Sequence, residues 1–309
     1  MKTLNEYPAS KKLLIILLIL LISTLFATNA FADNLKLIKE KTLSVKQGET
    51  LFIDASGADI KIDSWNKDEV YVKIFGNRKA EEKMKFTIEK NSDGVEVTAK
   101  KESSWFFNWG GGYSVRIEVI LPTNFNTKIE TSGGDISVQN LNGKFNLETS
   151  GGDVDLKNTN GELKINTSGG DIYLRKHKGD SRVTTSGGDI TTKELVGDLY
   201  ASTSGGDIKL EVNNGKIIAK TSGGDIEIMY DGENKGINAS TSGGDIKLFA
   251  PATLKANVDL ETSGGSIDCN FSNYKATKVT RGRVKGEFNG GGENLVCRTT
   301  GGDITINNK

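Results

Sequence analysis

Seven aspartates, Asp135, Asp153, Asp171, Asp189, Asp207, Asp225 and Asp245, each follow a Gly-Gly pair. Paired carboxylates at such regular spacing raise two kinds of chemistry, acid–base cleavage of a glycan and calcium binding. Stacked at about 5 Å, the carboxylates would form a uniform ladder in which no pair is set apart as acid and base. Unit charges at that separation repel by only about 1 kcal/mol in water, so such a ladder is tolerable. Calcium β-rolls use a GGxGxDxUx nonapeptide, and here GGD occurs without the second half-unit. One carboxylate per repeat also falls short of the six to eight oxygens calcium takes. His177 is the sole histidine, lies between Lys176 and Lys178, and reads as part of a solvated loop. No nucleophile elbow, phosphate loop or metal-ligand cluster is present, so no cofactor is expected.

Two other groups carry chemistry. Cys269 and Cys297 fall in apolar slots; in an oxidising compartment they could pair as a disulfide, or serve as small core residues. Trp105, Phe106, Phe107, Trp109 and Tyr113 flank the triple glycine 110–112. Such a cluster can stack on sugar rings or dock a partner, or it can plug the end of an apolar interior.

The elements that place these residues are set by a repeat. The phrase TSGGD, or a close variant, recurs at Ser132, Ser150, Ser168, Ser186, Ser204 and Ser222, then at Ser242, Ser263 and Thr300. The spacing is 18 residues from Ser132 to Ser222, then 20 and 21, with a final gap of 37 that has room for one more degenerate unit. A fixed period marks a solenoid. Within a unit, Phe145, Leu147 and Thr149 share one parity, and Val154 and Leu156 share the other. Alternation that switches phase at Gly-Gly means two short strands and a corner. The expected fold is an all-β, parallel β-solenoid of ~18-residue coils. Parallel crossovers favour a right-handed coil. The corner glycines are expected to turn by taking φ > 0. The inward Thr is expected to bond the next Thr, and the Asp to accept N–H groups of its own bend. That inward phase also argues against a surface Thr array of the ice-binding kind. The second corner (QNLNG, KNTNG, RKHKG, KELVG, EVNNG) differs from unit to unit and carries the length changes. Variable loops on a rigid frame are where recognition tends to sit.

Residues 33–125 lack the period but alternate as strands at 50–54, 59–64, 69–75, 84–90, 95–100 and 114–121. This segment is expected to cap the open end of the solenoid at 126–309. Residues 1–32 read as a signal peptide: Lys2, Lys11 and Lys12, an apolar run at 13–26, then Ala30-Phe31-Ala32 as a cleavage site. No second long apolar stretch follows, so no transmembrane segment is expected in the mature chain. The chain carries 40 Lys plus Arg against 40 Asp plus Glu, interspersed. That balance gives no footprint for nucleic acid or an anionic membrane.

SWNKDEVYVKI (64–74), VILP (119–122), the serial TSGGDI units and GEFNGGGENLVCRTTGGDITI (286–306) together resemble an exported bacterial family of β-strand-repeat proteins described as candidate adhesins, a domain of unknown function. The resemblance implies a parallel β-solenoid of the cell envelope, periplasmic or at the cell surface, and no site residue carries over from it. The function expected is a non-catalytic scaffold or adhesin-like interaction module whose partner is a cell-envelope protein or glycan. The alternative is a polysaccharide lyase or hydrolase on the same fold.

Overall fold

The structure, a computed structural model, describes residues 35–101 and 112–309. Trp105, Phe106, Phe107 and Trp109, and the N-terminal leader, lie outside the described residues. Lys36–Lys309 form one unit. It is all-β, with one short helix among the described residues, and its strands form two long open sheets of 13 and 14 strands.

The period-two pattern becomes strands with alternately buried residues. From β8 (Asn126–Thr131) to β21 (Ile246–Ala250), successive strands alternate between the two sheets. Pairing is parallel and in register with the repeat: Ile172 lies opposite Ile190, Ile190 opposite Ile208, and Ile208 opposite Ile226. Facing columns of Ile, Leu, Val and Ala fill the space between the sheets, most of them fully buried. Burying such columns is the main favourable term, since apolar area removed from water is worth about 25 cal/mol per Å².

At the N-terminal end, β1 (Lys36–Ser44), β2 (Thr50–Ala55), β3 (Ala58–Trp65), β4 (Glu69–Gly76), helix α1 (Arg78–Lys83), β5 (Met84–Lys90), β6 (Gly94–Lys101) and β7 (Val115–Pro122) follow in order. β2 and β3 already belong to the stack, pairing in parallel with β8 and with β9 (Ile136–Gln139). β6 and β7 add one layer outside them. The antiparallel strands β4 and β1 then extend one sheet, and β5 the other. These outermost strands meet. Lys39 Nζ donates to the Phe86 carbonyl (2.9 Å), Lys41 Nζ to that of Ile88 (3.0 Å), and Lys90 Nζ to that of Ser44 (2.6 Å).

The C-terminal end is built differently. β22 (Ala256–Thr262) and β23 (Ile267–Asn270) make a layer. The hairpin β24 (Tyr274–Thr280) and β25 (Arg283–Phe288) follows, then β26 (Asn294–Thr299) and β27 (Ile304–Asn308). The 37-residue gap therefore holds an antiparallel hairpin rather than a degenerate coil. β26 and β27 lie between the layer of β20 (Ile237–Ser240) and β21 and the layer of β22 and β23. Phe271 stacks on Phe288 at 4.0 Å and Tyr274 meets Phe288 edge-on at 5.6 Å, closing the interior with aromatic rings on the side away from the TSGGD corner.

Candidate functional site

The TSGGD corner is held by a repeated set of hydrogen bonds. The inward Thr185 donates from Oγ1 to the carbonyl of Gly170 in the preceding layer (3.0 Å) and accepts the N–H of Gly188 (3.3 Å). Thr149, Thr167, Thr203 and Thr221 do the same. The expected Thr-to-Thr ladder is thus replaced by Thr-to-backbone bonds. Each corner Asp accepts, through Oδ1, the N–H of the next layer's Asp: Asp135 takes that of Asp153 (2.9 Å), and Asp171 that of Asp189 (2.7 Å). The chain of contacts runs from Asp59 through Asp303 to Ser266. The carboxylate serves the neighbouring layer rather than its own bend.

The glycines also act otherwise than expected. None of the TSGGD glycines takes a positive φ. The second of each pair is required by close approach: a Cβ on Gly152, Gly170 or Gly188 would lie about 2 Å from the carbonyl oxygen of the preceding layer. The first has room in the earlier units, with the nearest atom 3.9 Å from a Cβ at Gly151 and 3.7 Å at Gly187, and is tighter in later ones, 3.3 Å at Gly223 and Gly243.

Left-handed backbone belongs to the variable corner. Asn140, Asn158, Lys176, Glu194 and Asn214 sit at φ from 53° to 59°, and Gly161, Gly179 and Gly197 at 130–133°. The left-handed residue breaks the alternation, so the next side chain points inward. This buries Leu141, Thr159, His177 and Leu195 in one column. His177 is therefore a core residue and not part of a solvated loop. Its Nδ1 is 2.8 Å from Thr159 Oγ1, its Nε2 has no hydrogen-bond partner, and Phe145 packs edge-on at 6.3 Å. Burial lowers its pKa to about 4, against a smaller opposing pull from the Gly161 backbone. The enlarged corner at 229–236 is likewise tied down. Tyr230 is buried and its hydroxyl donates to the carbonyls of Gly215 (3.0 Å) and Glu233 (2.6 Å), sharing one proton between them. Asn234 Nδ2 reaches the carbonyls of Lys255 and Glu293.

Of the aromatic cluster, Tyr113 is described. It is half-buried against the core, with Lys79 Nζ 4.8 Å and Lys101 Nζ 5.1 Å from its ring centre. Cys269 and Cys297 are both free thiols on opposite sheets, in the slots expected: Cys269 lies beside Ile306 and Cys297 beside Ala239. Burial raises their pKa values, to about 11 for Cys269 and about 12 for Cys297.

A feature that sequence reading missed is a shallow groove of about 350 Å³ on the outer face of the sheet that holds Leu163, Ser181 and Leu199. Arg182 stacks on Tyr200 at 4.0 Å, flanked by Lys164, Asp180, Asp198 and Ile218. The 18-residue spacing of Arg182 and Tyr200 was the available signal, since it makes them lateral neighbours. Among the described residues, no group of three or more His, Cys, Asp or Glu is placed to hold a metal ion, and no helix is long and apolar enough to cross a membrane.

The family model described as Toastrack DUF4097 matches residues 49–307. Solved structures that match over most of the chain include a candidate adhesin from Bacteroides fragilis (16% identity, 89% of this chain and 97% of that one, TM-score 0.43). A second is a candidate adhesin from Parabacteroides distasonis (16%, 89% and 97%, TM-score 0.33). A third, from the same organism, carries the description of a candidate lipid-binding protein (10%, 88% and 96%, TM-score 0.25). No curated protein matches the chain.

Proposed function

The chain belongs to the Toastrack DUF4097 family, and we propose that it is a non-catalytic, exported interaction module or scaffold of the cell envelope. Residues 1–32 act as a cleaved signal peptide, the outermost strands of 33–125 as the N-terminal cap, and the parallel layers up to Ala250 as a right-handed solenoid of mostly 18-residue coils that the C-terminal hairpin and strands complete. Its partner is an envelope protein or glycan, met in the periplasm or at the cell surface. The contact surfaces are the variable corner and the aromatic segment at 105–113, whose residue types Trp105, Phe106, Phe107, Trp109 and Tyr113 suit stacking on sugar rings or docking a partner. Cys269 and Cys297, free thiols in this structure, either pair as a disulfide on export or stay as small core residues.

One observation carries this reading. The recurring Asp and Thr side chains make their hydrogen bonds to the backbone of neighbouring layers, so the most repeated polar groups hold the frame and are equivalent to one another. An enzyme needs one pair unlike the rest. The test is a glycan array combined with a reducing-end assay on the purified protein. Retention without new reducing ends is the expected result, and new reducing ends would establish the polysaccharide-cleaving alternative. Cross-linking in the native envelope then identifies a protein partner. Thiol titration of the denatured exported protein decides the disulfide.

A further inference from the structure

The two sheets do not end together at the C-terminal side. In one sheet, β25 and β24 extend past β22; in the other, β23 is the last strand among the described residues. Two consequences follow from this mismatch. First, β23 has an unpaired edge. Its pairing with β27 uses the Ser266 carbonyl, and in a parallel ladder alternate residues face opposite neighbours. The backbone groups of Ile267 and Cys269 therefore face the open side. Second, the inner face of β24 is uncovered at its TSGGD end. Val279 is in register with Val284, and Val284 with Leu260. Exposure rises along that row from 0% at Leu260 and 6% at Val284 to 66% at Val279. The opposite end of the stack shows no such vacancy, since β1 and β5 meet and lysines there occupy the edge carbonyls.

We infer that this end docks an extended strand of another protein, added in parallel to β23, with the pattern Asp–apolar–Lys–apolar. Natural sheets cover or blunt a long-lived open edge, and strand addition to such an edge is a recurrent mode of recognition. The charges select the pattern. The β24–β25 turn lies at the TSGGD side, where the Thr262 N–H donates to the Gly282 carbonyl at 2.9 Å. Arg281 in that turn and Lys278 beside it have no ion pair among the described residues, whereas Arg283 and Lys285 are engaged by Asp259. A strand entering at that corner places its first carboxylate near Arg281. Two residues on, its outer face lies beside Asp268, the place a lysine would fill. Its apolar residues then cover Val279 and Val284. The strand of this chain that runs Asp245-Ile246-Lys247-Leu248 has this pattern, and its Lys247 lies in the same outer row as Asp268, one strand removed. The inference rests on reading the protein as an interaction module but uses neither surface named above, so the two can fail separately.

The probe is a fluorescent peptide of sequence TSGGDIKLFA, that of residues 241–250, with a scrambled peptide as control. Anisotropy should show saturable binding of the first alone, weakened at least about ten-fold in Val279→Asp and several-fold in Arg281→Glu. Hydrogen exchange should slow at the amides of Ile267 and Cys269 when the peptide is added. If Val279→Asp lowers the melting temperature, Arg281→Glu and the exchange data decide the matter. Equal binding of the scrambled peptide, undiminished binding to the folded variants, or no protection at Ile267 and Cys269 would overturn the inference. So would a dimer of the protein alone that Val279→Asp separates, because a second copy would then fill the edge.

Discussion

The two corners of each layer solve the same problem by opposite means. At the TSGGD corner the backbone stays out of the left-handed region, and layers are joined by side chains that bond the layer beneath. At the variable corner the turn is made by the backbone itself, through a left-handed residue and a following glycine. A corner that depends on contact between layers must repeat the same residues every time, because each layer is the mould for the next. A corner that turns by its own torsions needs one left-handed residue and one glycine lying close on the layer beneath, and leaves the other positions free. The lesson is that constancy of sequence reports interlayer contact at both corners: even the variable one keeps Gly161 and Gly179, where a Cβ would lie about 2 Å from the preceding layer's carbonyl oxygen, while the residues around those glycines change.

The largest effect should come from the glycine pair. Gly188→Ala places a methyl about 2 Å from the Gly170 carbonyl and should cost about 3 kcal/mol or more. Gly187→Ala has space and should stay within about 1 kcal/mol. Urea denaturation of the two variants checks this, and equal losses would remove the distinction drawn between the two glycines. Next is His177. Its pKa is lower folded, about 4, than unfolded, about 6.5, so the unfolded chain takes up the proton first as pH falls. Stability should be full above about pH 6.5, decline by on the order of 3 kcal/mol toward pH 4, and level off below. His177→Leu should flatten that slope in thermal melts across the range.

Thr185→Val keeps the shape but strands the Gly188 N–H and the Gly170 carbonyl. A loss of about 1–3 kcal/mol is expected. A neutral result by chemical denaturation would mean that these bonds do not hold the uniform corner. The smallest change is a gain. Glu194 occupies φ 53°, which a branched or long side chain tolerates poorly and Asn tolerates better. Glu194→Asn should stabilise by about 0.5–1 kcal/mol, since the exposed pairing with Lys176 at 3.9 Å contributes little. Differential scanning calorimetry has the resolution to detect it.

Much of the frame was legible because period-two alternation and an 18-residue spacing are both statements about which side chains share a face. The strands at 50–121 and the inward slots of Cys269 and Cys297 followed from that alone. β1 escaped because its burial pattern barely alternates, and α1 because Arg78–Lys83 is a single short turn capped by Asn77. His177 escaped because a left-handed Lys176 shifts the parity by one, and nothing in a lysine announces that torsion. The insertion of β26 and β27 escaped because spacing gives the order of units along the chain and is silent on their order in space. The Arg182–Tyr200 groove was within reach, since two residues one period apart must be lateral neighbours.

That insertion bears on how the chain acquires its structure. In a molecule that crosses a membrane or leaves a ribosome N-terminus first, Ile237–Ala250 and Ala256–Asn270 emerge before Asn294–Asn308, the strands that lie between them once folded. Neither of these two layers can take its final place beside the other until Asn294–Asn308 is there to separate them. For that interval this end of the protein is a clasp still undone, open to any extended segment that reaches it before its own.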